Sequence, residues 1–211
     1  MWQFVKKLDI ALFYLINRSG QNVFFDALMP VVSGLKYFYI PFGLFWLFLI
    51  TRKGFKPRSL ALGIVLLIGF SEWVSYDLLK PFFGRPRPYD ALSDVRCYHN
   101  RTGDWSITRG LKEPVVEHSY SLPSCHATNI FAASLLLSYY YRKWWPFLYL
   151  AAAMVAYSRV YLGAHYPADV LFGAMVGTLC GISAVWLLKL VGRCFKKKGD
   201  QSGQDLSSYP E

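Results

Sequence analysis

Apolar residues in this chain are gathered into long blocks, and this distribution limits the fold more than any other feature. A polypeptide in lipid must satisfy its backbone hydrogen bonds internally, which a helix does, and a helix needs roughly 20 residues to cross a bilayer. The blocks therefore predict membrane helices. The clear ones are residues 59–80, residues 126–141 with a start near Leu122, residues 144–158 running on toward Leu162, and residues 166–192.

The N-terminal fifty residues are less regular. Residues 2–16 predict an amphipathic helix at the membrane interface, with Asp9 and Lys6-Lys7 on its polar side, and no cleavable signal peptide is expected. Residues 23–34 and 37–50 are apolar but interrupted by prolines and a glycine, so they predict either two short membrane helices or one broken helix. The predicted fold class is all-α: a polytopic membrane bundle of about six transmembrane helices plus the N-terminal interfacial helix.

The positive charge supports this interpretation and argues against nucleic-acid binding. The formal net charge is +10, but much of the excess lies in short clusters beside apolar blocks, at residues 51–58, 142–143 and 193–198. Such clusters follow the positive-inside rule and place these segments on the cytoplasmic side. We therefore expect no nucleic-acid partner, and no feature indicates an obligate protein partner.

The opposite side then carries the loop 81–121 and the short turn 159–166. We assign residues 1–195 to one integral-membrane domain. Residues 196–211 form a polar tail without apolar periodicity, which predicts disorder. The cysteines lack CxxC spacing, so Cys180 and Cys194 are interpreted as small apolar residues, and a Cys97–Cys125 disulfide is the minority interpretation.

Three short polar stretches meet on the outer side although they lie far apart in sequence. Each alone has a simple explanation, because cations often snorkel at helix ends and a histidine near a helix start is often structural. Their coincidence on one membrane face favours a functional site. The stretches are KPFFGRPRPYD with Lys80, Arg85 and Arg87, LPSCHATN with His126, and SRVYLGAHYPAD with Arg159, His165 and Asp169.

The combined chemistry is that of phosphoryl transfer. Cations and the free N–H groups of helix starts bind tetrahedral oxyanions. An imidazole held by a carboxylate, as the i, i+4 spacing of His165 and Asp169 allows, is a nucleophile or base, and a second imidazole can supply a proton. No carboxylate cluster or metal-binding motif is present, so we expect no metal and no other cofactor.

The spacing of these residues is similar to that of a known family. The elements K-x6-RP from Lys80, PS-x-H from Pro123 and SR-x5-H-x3-D from Ser158 resemble the three-part motif of the type 2 phosphatidic acid phosphatase superfamily. They span the C-terminal two-thirds of the chain. One position departs, because Cys125 stands where the family has glycine, and its side chain could crowd a bound phosphate.

The resemblance implies a role for each matching residue. His165 would attack phosphorus to form a phosphohistidine, Asp169 would fix its tautomer, and His126 would protonate the leaving oxygen. The phosphate oxygens would be held by Lys80, Arg87, Arg159, Ser124 and the backbone at Cys125.

The remaining polar residues receive supporting or peripheral roles. Arg85 is not a motif position and is expected to contact a lipid headgroup or Asp90. Glu72 and Asp77 are expected to hold Lys80 in place, since intramembrane acids are functional candidates by default. His99 and His118 are expected at the surface.

A site at an outer membrane boundary suits a lipid whose tail stays in the bilayer. In a Gram-negative host it would lie on the periplasmic face of the inner membrane. Lipid A 1-phosphate ranks first, with undecaprenyl diphosphate and phosphatidylglycerol phosphate as alternatives. Transfer to another lipid instead of water stays open, and a non-hydrolytic lipid transporter is the competing class.

Overall fold

The computed structural model of the chain describes residues 2–109 and 120–206. The N-terminal part is helical: α1 runs from Trp2 to Tyr14 and continues as a π-helical segment, Leu15–Ser19. Two separate apolar helices follow, α2 (Val23–Ser33) and α3 (Tyr39–Thr51). Gly34 and the 3-10 turn Leu35–Tyr37 divide them. Residues 23–50 therefore form two short helices and not one broken helix.

Helix α1 does not carry Asp9 on its polar side as predicted. The side chain of Asp9 is buried, with only 7% of the residue exposed, and the neighbouring Phe13 packs its ring 5.6 Å from that of Tyr166. Apolar residues of α1 such as Leu8 and Leu12 are exposed instead. The prediction failed because Asp9 has buried polar partners from distant parts of the chain, which helical periodicity cannot reveal.

A long continuous helical stretch leads into the basic segment at residues 80–90. Helix α4 (Phe55–Trp73) passes into a π-helical segment, Val74–Leu79, and then into the short helix α5 (Lys80–Phe83). Gly84 ends α5 in the left-handed conformation, with φ 56°, which glycine adopts without steric cost. A second short helix, α6 (Pro88–Ala91), begins at a proline, whose missing N–H costs nothing there.

The loop between α6 and α7 contains a β-hairpin, so the prediction of an all-α fold was wrong in this part. Strand β1 (Ser93–His99) pairs antiparallel with β2 (Asp104–Arg109), with Tyr98 opposite Trp105. Val95 and Cys97 of β1 are buried in the core, and the Val, Ile, Thr and aromatic residues of the two strands favour extended backbone. The short strands are hard to see in sequence because they lie in a polar loop.

The C-terminal half consists of three helices: α7 (Cys125–Tyr140), α8 (Trp145–Tyr161) and α9 (Pro167–Leu206). They agree with the predicted blocks to within a few residues at most ends. Helix α9 is described as far as Leu206, and the division of the chain into a membrane domain at residues 1–195 and a tail at residues 196–211 stays a prediction. Residues 207–211 lie outside the described residues.

Glycines let α7 and α9 approach closely. A Cβ at Gly177 would lie 2.1 Å from the carbonyl oxygen of Thr128, and one at Gly173 would lie 2.7 Å from that of Ser124. This spacing of small residues is typical of packed membrane helices. It brings the N-terminal ends of both helices together, which is where the site forms.

The exposed surface of the helices is apolar, as expected for a protein that lies in a membrane. Large apolar side chains on α4 and α9, among them Leu62, Leu66, Leu179 and Trp186, are more than half exposed. Within the described part of the chain, residues 56–91 and 167–193 form helices long and apolar enough to cross a bilayer. The other predicted spans are shorter helices, so the count of about six stays a prediction.

Candidate active site

Lys80 turns inward at the end of the π-helical segment. Only 3% of the residue is exposed, and its Nζ donates to the carbonyl oxygen of Tyr120 at 2.6 Å. A π-helical segment adds residues to a turn and rotates everything after it relative to the preceding α-helix. Lys80 is thereby directed at the site rather than at lipid, and its other N–H donors can serve an anion.

The first turn of α7 carries His126. Ser124 is the N-cap: its Oγ accepts from the N–H of Ala127 at 3.5 Å, and its own N–H donates to the carbonyl oxygen of Asp169 at 3.1 Å. The start of α7 is therefore fixed to the start of α9. The His126 imidazole lies within electrostatic range of Arg159, His165, Arg87 and Lys80.

His165 lies in the turn between α8 and α9. Gly163, with φ 78°, allows this turn, and the N–H of His165 donates to the carbonyl oxygen of Arg159 at 3.2 Å. Only 2% of His165 is exposed, and its Nδ1 lies 3.7 Å from Oδ2 of Asp169. The structure thus brings the predicted imidazole–carboxylate pair together.

Ser121 lies between His165 and Asp169, a position that sequence reasoning missed. Its hydroxyl donates to Oδ2 of Asp169 and lies 3.3 Å from Nδ1 of His165. An ionised carboxylate only accepts, so the single hydroxyl hydrogen belongs to Asp169 and the Ser121 oxygen accepts from Nδ1–H. This assignment fixes the tautomer and leaves the lone pair of His165 on Nε2.

The electrostatic surroundings keep His165 neutral. Burial lowers the pKa of His165 below its ordinary value; the neighbouring Asp169 carboxylate opposes this shift, and the charges of Arg159 and Arg87 add to it. A neutral imidazole keeps a lone pair, which a nucleophile needs.

Arg159, near the end of α8, is buried within the site. Its Nη1 donates to the hydroxyl of Ser33 on α2. Among the residues that the structure describes, its Nε has no hydrogen-bond partner. A buried guanidinium with an unsatisfied N–H can bind an oxyanion, and the role of Arg159 as a phosphate contact stays a prediction.

Arg85 pairs with two carboxylates that the sequence did not suggest, whereas its predicted contact with a headgroup or Asp90 stays a prediction. Its Nη1 donates to Oδ1 of Asp169 at 2.8 Å and its Nη2 to Oδ2 of Asp9 at 2.6 Å. The guanidinium also lies over the ring of Tyr166, 3.9 Å from its centroid. No local sequence pattern signals this arrangement, because Asp9 and Asp169 lie at opposite ends of the chain.

The acids of the preceding helix form no ion pair with Lys80 among the described residues, and their supporting role stays a prediction. Glu72 accepts from Nδ2 of Asn129 at 2.5 Å, and the Asn129 Oδ1 accepts from Ser71. Asp77 is exposed, and within the described ranges no ion pair joins either acid to Lys80. The π-helical segment between Glu72 and Lys80 removes the i, i+8 alignment on which the prediction depended.

The remaining candidates lie apart from the site or outside the described part. His99 is at the surface, with Nε2 2.7 Å from the Ser106 hydroxyl, whereas His118 lies outside the described residues. Cys97 and Cys125 are free thiols, which excludes the minority interpretation of a disulfide. In the described ranges no group of three or more His, Cys, Asp or Glu side chains is placed to hold a metal ion.

The helical membrane fold and this set of residues define the class of a membrane phosphatase. The chain belongs to the PAP2 superfamily, whose match covers residues 59–193 and so contains every motif residue from Lys80 to Asp169. The protein is accordingly a hydrolase that acts on lipid phosphates in a membrane.

Curated relatives include phosphatases of different lipids. The chain is 28% identical to the lipid A 4'-phosphatase of Bacteroides thetaiotaomicron over 90% of this chain and 80% of the relative. It is 30% identical to the undecaprenyl-diphosphatase of Sulfolobus acidocaldarius over 81% of this chain and 73% of the relative.

Solved structures agree with the fold. The LpxE protein of Aquifex aeolicus superimposes with a TM-score of 0.63 at 28% identity, covering 84% of this chain and 94% of that one. A PAP2-type phosphatidylglycerolphosphate phosphatase from Bacillus subtilis superimposes with a TM-score of 0.65 at 21% identity, over 89% of this chain and 87% of that one. The second likeness concerns the fold alone.

Proposed function

We propose that the protein hydrolyses a lipid phosphate by two in-line displacements at His165. In the first, the Nε2 lone pair attacks phosphorus while the bond from phosphorus to the lipid oxygen breaks, and His126 gives its proton to that oxygen. In the second, His126 takes a proton from water, the water oxygen attacks phosphorus, and the phosphorus–nitrogen bond breaks. His165 is thereby regenerated and inorganic phosphate leaves.

The observation that carries this proposal is the buried His165–Ser121–Asp169 arrangement beside Arg159. The Nδ1–H contact leaves Nε2 for phosphorus, and Asp169 stabilises the imidazolium that forms as the bond to phosphorus is made. The unsatisfied Nε of Arg159 supports a role in holding a nonbridging oxygen.

The other cations and the start of α7 complete the proposed phosphate cradle. The charges of Lys80 and Arg87 act on His126, which supports a role for both in holding the oxygens of a bound phosphate. Negative charge is spread over the nonbridging oxygens in the transition state. Fixed hydrogen-bond donors at these oxygens stabilise that charge. The hydroxyl of Ser124 and the backbone N–H of Cys125 supply the remaining donors, and no step requires a metal ion.

The proposed substrate is a phosphate of lipid A. Two relatives named lipid A 4'-phosphatase, from Bacteroides thetaiotaomicron and Porphyromonas gingivalis, align with 90% and 85% of this chain. Their names favour the 4'-phosphate as the position to test first. The 1-phosphate, which ranked first from sequence, is the second position. Water is the proposed acceptor.

Undecaprenyl diphosphate is the second candidate. The Sulfolobus acidocaldarius relative, at 30% identity, and a putative undecaprenyl-diphosphatase, YbjG, from Escherichia coli, at 26%, favour it. A diphosphate has the same terminal phosphoryl group, so the same residues can act on it. Phosphatidylglycerol phosphate is a third lipid with such a group.

We also propose that the helices form about six spans of a bacterial inner membrane with the site at the periplasmic face. The basic clusters at residues 51–58 and 142–143 lie at the opposite helix ends from Lys80 and His165, as the positive-inside rule requires. The apolar surfaces of α4 and α9 would face lipid.

A phosphate-release assay tests the proposal. The purified protein in detergent is given lipid A with both phosphates, undecaprenyl diphosphate and phosphatidylglycerol phosphate, with and without EDTA. We expect release from lipid A first, equal with and without EDTA, and mass spectrometry of the product then identifies the position. Preference for another lipid would overturn the substrate assignment, and loss of activity in EDTA would overturn the metal-independent mechanism.

A further inference from the structure

One cation connects the N-terminal helix with the proposed catalytic carboxylate. Nη2 of Arg85 donates to Oδ2 of Asp9 on α1 at 2.6 Å, and Nη1 donates to Oδ1 of Asp169 on α9 at 2.8 Å. Asp9 and Asp169 are both buried, and Arg85 is partly so. Charge-assisted hydrogen bonds in such surroundings are stronger than at an exposed surface, because solvent screens them less.

Asp9 has a second contact that places it beside the catalytic residues. Its Oδ1 accepts from the N–H of Ala168 at 2.8 Å, and Ala168 is the residue directly before Asp169. The first N–H groups of a helix have no partner within the helix, so Asp9 satisfies one of them at the start of α9. The two oxygens of Asp9 therefore hold both the helix that carries Asp169 and the cation that contacts it.

Arg85 can move little because it is held on two further sides. Its guanidinium stacks on Tyr166, and its carbonyl oxygen accepts from the N–H of Ser121 at 2.7 Å. Ser121 in turn contacts Asp169 and His165. A change at Asp9 is thus transmitted through Arg85 to the groups that hold the His165 imidazole.

We propose that Asp9 is a positioning residue for phosphoryl transfer. It shares the charge of Arg85 and fixes its direction, and Arg85 then holds the Asp169 carboxylate where it can orient His165. Without Asp9, the full charge of Arg85 would act on Asp169 and draw it from Ser121 and His165. Helix α1 lies outside residues 59–193, which match the PAP2 superfamily, and the inference rests on the proposed roles of His165 and Asp169.

The test compares Asp9→Asn with Asp9→Ala. Asparagine keeps a carbonyl oxygen that can accept from Ala168 but has no charge to pair with Arg85. A misplaced reacting group costs up to about 100-fold in rate, so we expect kcat to fall about 10–100-fold in both variants with KM nearly unchanged. If Asp9 only caps α9, Asp9→Asn keeps the wild-type kcat, and the proposal is overturned.

A double-mutant cycle isolates the route through Arg85. Arg85→Gln should lower kcat by a similar factor, and adding Asp9→Asn should lower it no further, because both changes break one connection. Additive losses would contradict the route. Lys7→Gln, exposed on α1, and Asp104→Asn, exposed in β2, are the matched controls and should keep wild-type rates.

The readouts separate this inference from the proposed function. Rates are measured with whichever lipid phosphate the wild type hydrolyses fastest, and melting temperatures confirm that each variant is folded. Stabilisation by orthovanadate, a phosphate analogue, reports on the phosphate site without any lipid; it should shrink in Asp9→Asn. An active His165→Ala would overturn the mechanism, whereas an inactive one with unchanged Asp9→Asn would overturn only the positioning role.

Discussion

The guanidinium of Arg159 on α8 donates a hydrogen bond to the hydroxyl of Ser33 on α2, and its Nε is left without a partner among the described residues. The contact holds one side of the guanidinium and leaves the other to the site. A buried N–H that finds no protein acceptor is explained if a substrate oxygen occupies that position.

Replacing Arg159 by lysine should therefore be costly although charge is kept. Lysine lacks the planar guanidinium, so it cannot contact both Ser33 and a phosphate oxygen. We therefore expect kcat/KM to fall about 100-fold or more. Ser33→Ala is the matched control, since it removes one hydrogen bond and should cost about tenfold at most. Equal effects of the two variants would mean that Arg159 serves only to pack α8 against α2.

The proposed role of His126 can be tested through the leaving group. His126→Ala removes the acid that protonates the lipid oxygen, a contribution of about 100- to 10,000-fold. An aryl phosphate with an acidic phenol needs no such proton, so phosphohistidine formation from it should be nearly normal in the variant. Rapid-quench measurements of the first turnover distinguish the two substrates. Equal slowing of the first step with both would show that His126 is not the acid.

Ser121 should matter for rate more than for binding. Ser121→Ala removes the hydroxyl between His165 and Asp169, so the imidazole loses its acceptor, and we expect kcat to fall about tenfold. Ser121→Thr keeps the hydroxyl and should recover part of the rate. A wild-type kcat for Ser121→Ala would mean that Asp169 alone, 3.7 Å from His165, orients the ring.

The contrast between Ser121 and His165 shows what the sequence could predict. His165 and Asp169 could be predicted to lie close together because they are only four residues apart, although His165 lies in the turn before α9 and not in the helix itself. The membrane helices could be predicted because each is an apolar block.

Contacts that join distant parts of the chain could not be predicted. Arg85 and Ser121 contact Asp169 from separate segments, and Asp9 contacts Arg85 from a third. None of them has a spacing that a local rule detects. The π-helical segment Val74–Leu79 likewise breaks the periodicity that paired Glu72 with Lys80. The hairpin at residues 93–109 was missed because its alternating residues lie in a polar loop.

The close approach of α7 and α9 makes a prediction for stability. Gly177→Ala would place a Cβ against the Thr128 carbonyl and push the helices apart, so we expect a loss of roughly 1–3 kcal/mol or more. A Cβ added at Gly69 on α4 would meet nothing within 4 Å, and Gly69→Ala is therefore the matched control. Thermal unfolding in detergent measures both, and equal melting temperatures would contradict the packing described.

The most direct test of the central claim is to identify the phosphorylated residue during turnover. The protein is mixed with its lipid phosphate, quenched in alkali, which preserves phosphohistidine, and digested for mass spectrometry. We expect phosphate on His165 in the wild type and none in His165→Ala, which should release no phosphate. Phosphate on another residue, or steady turnover by His165→Ala, would contradict it.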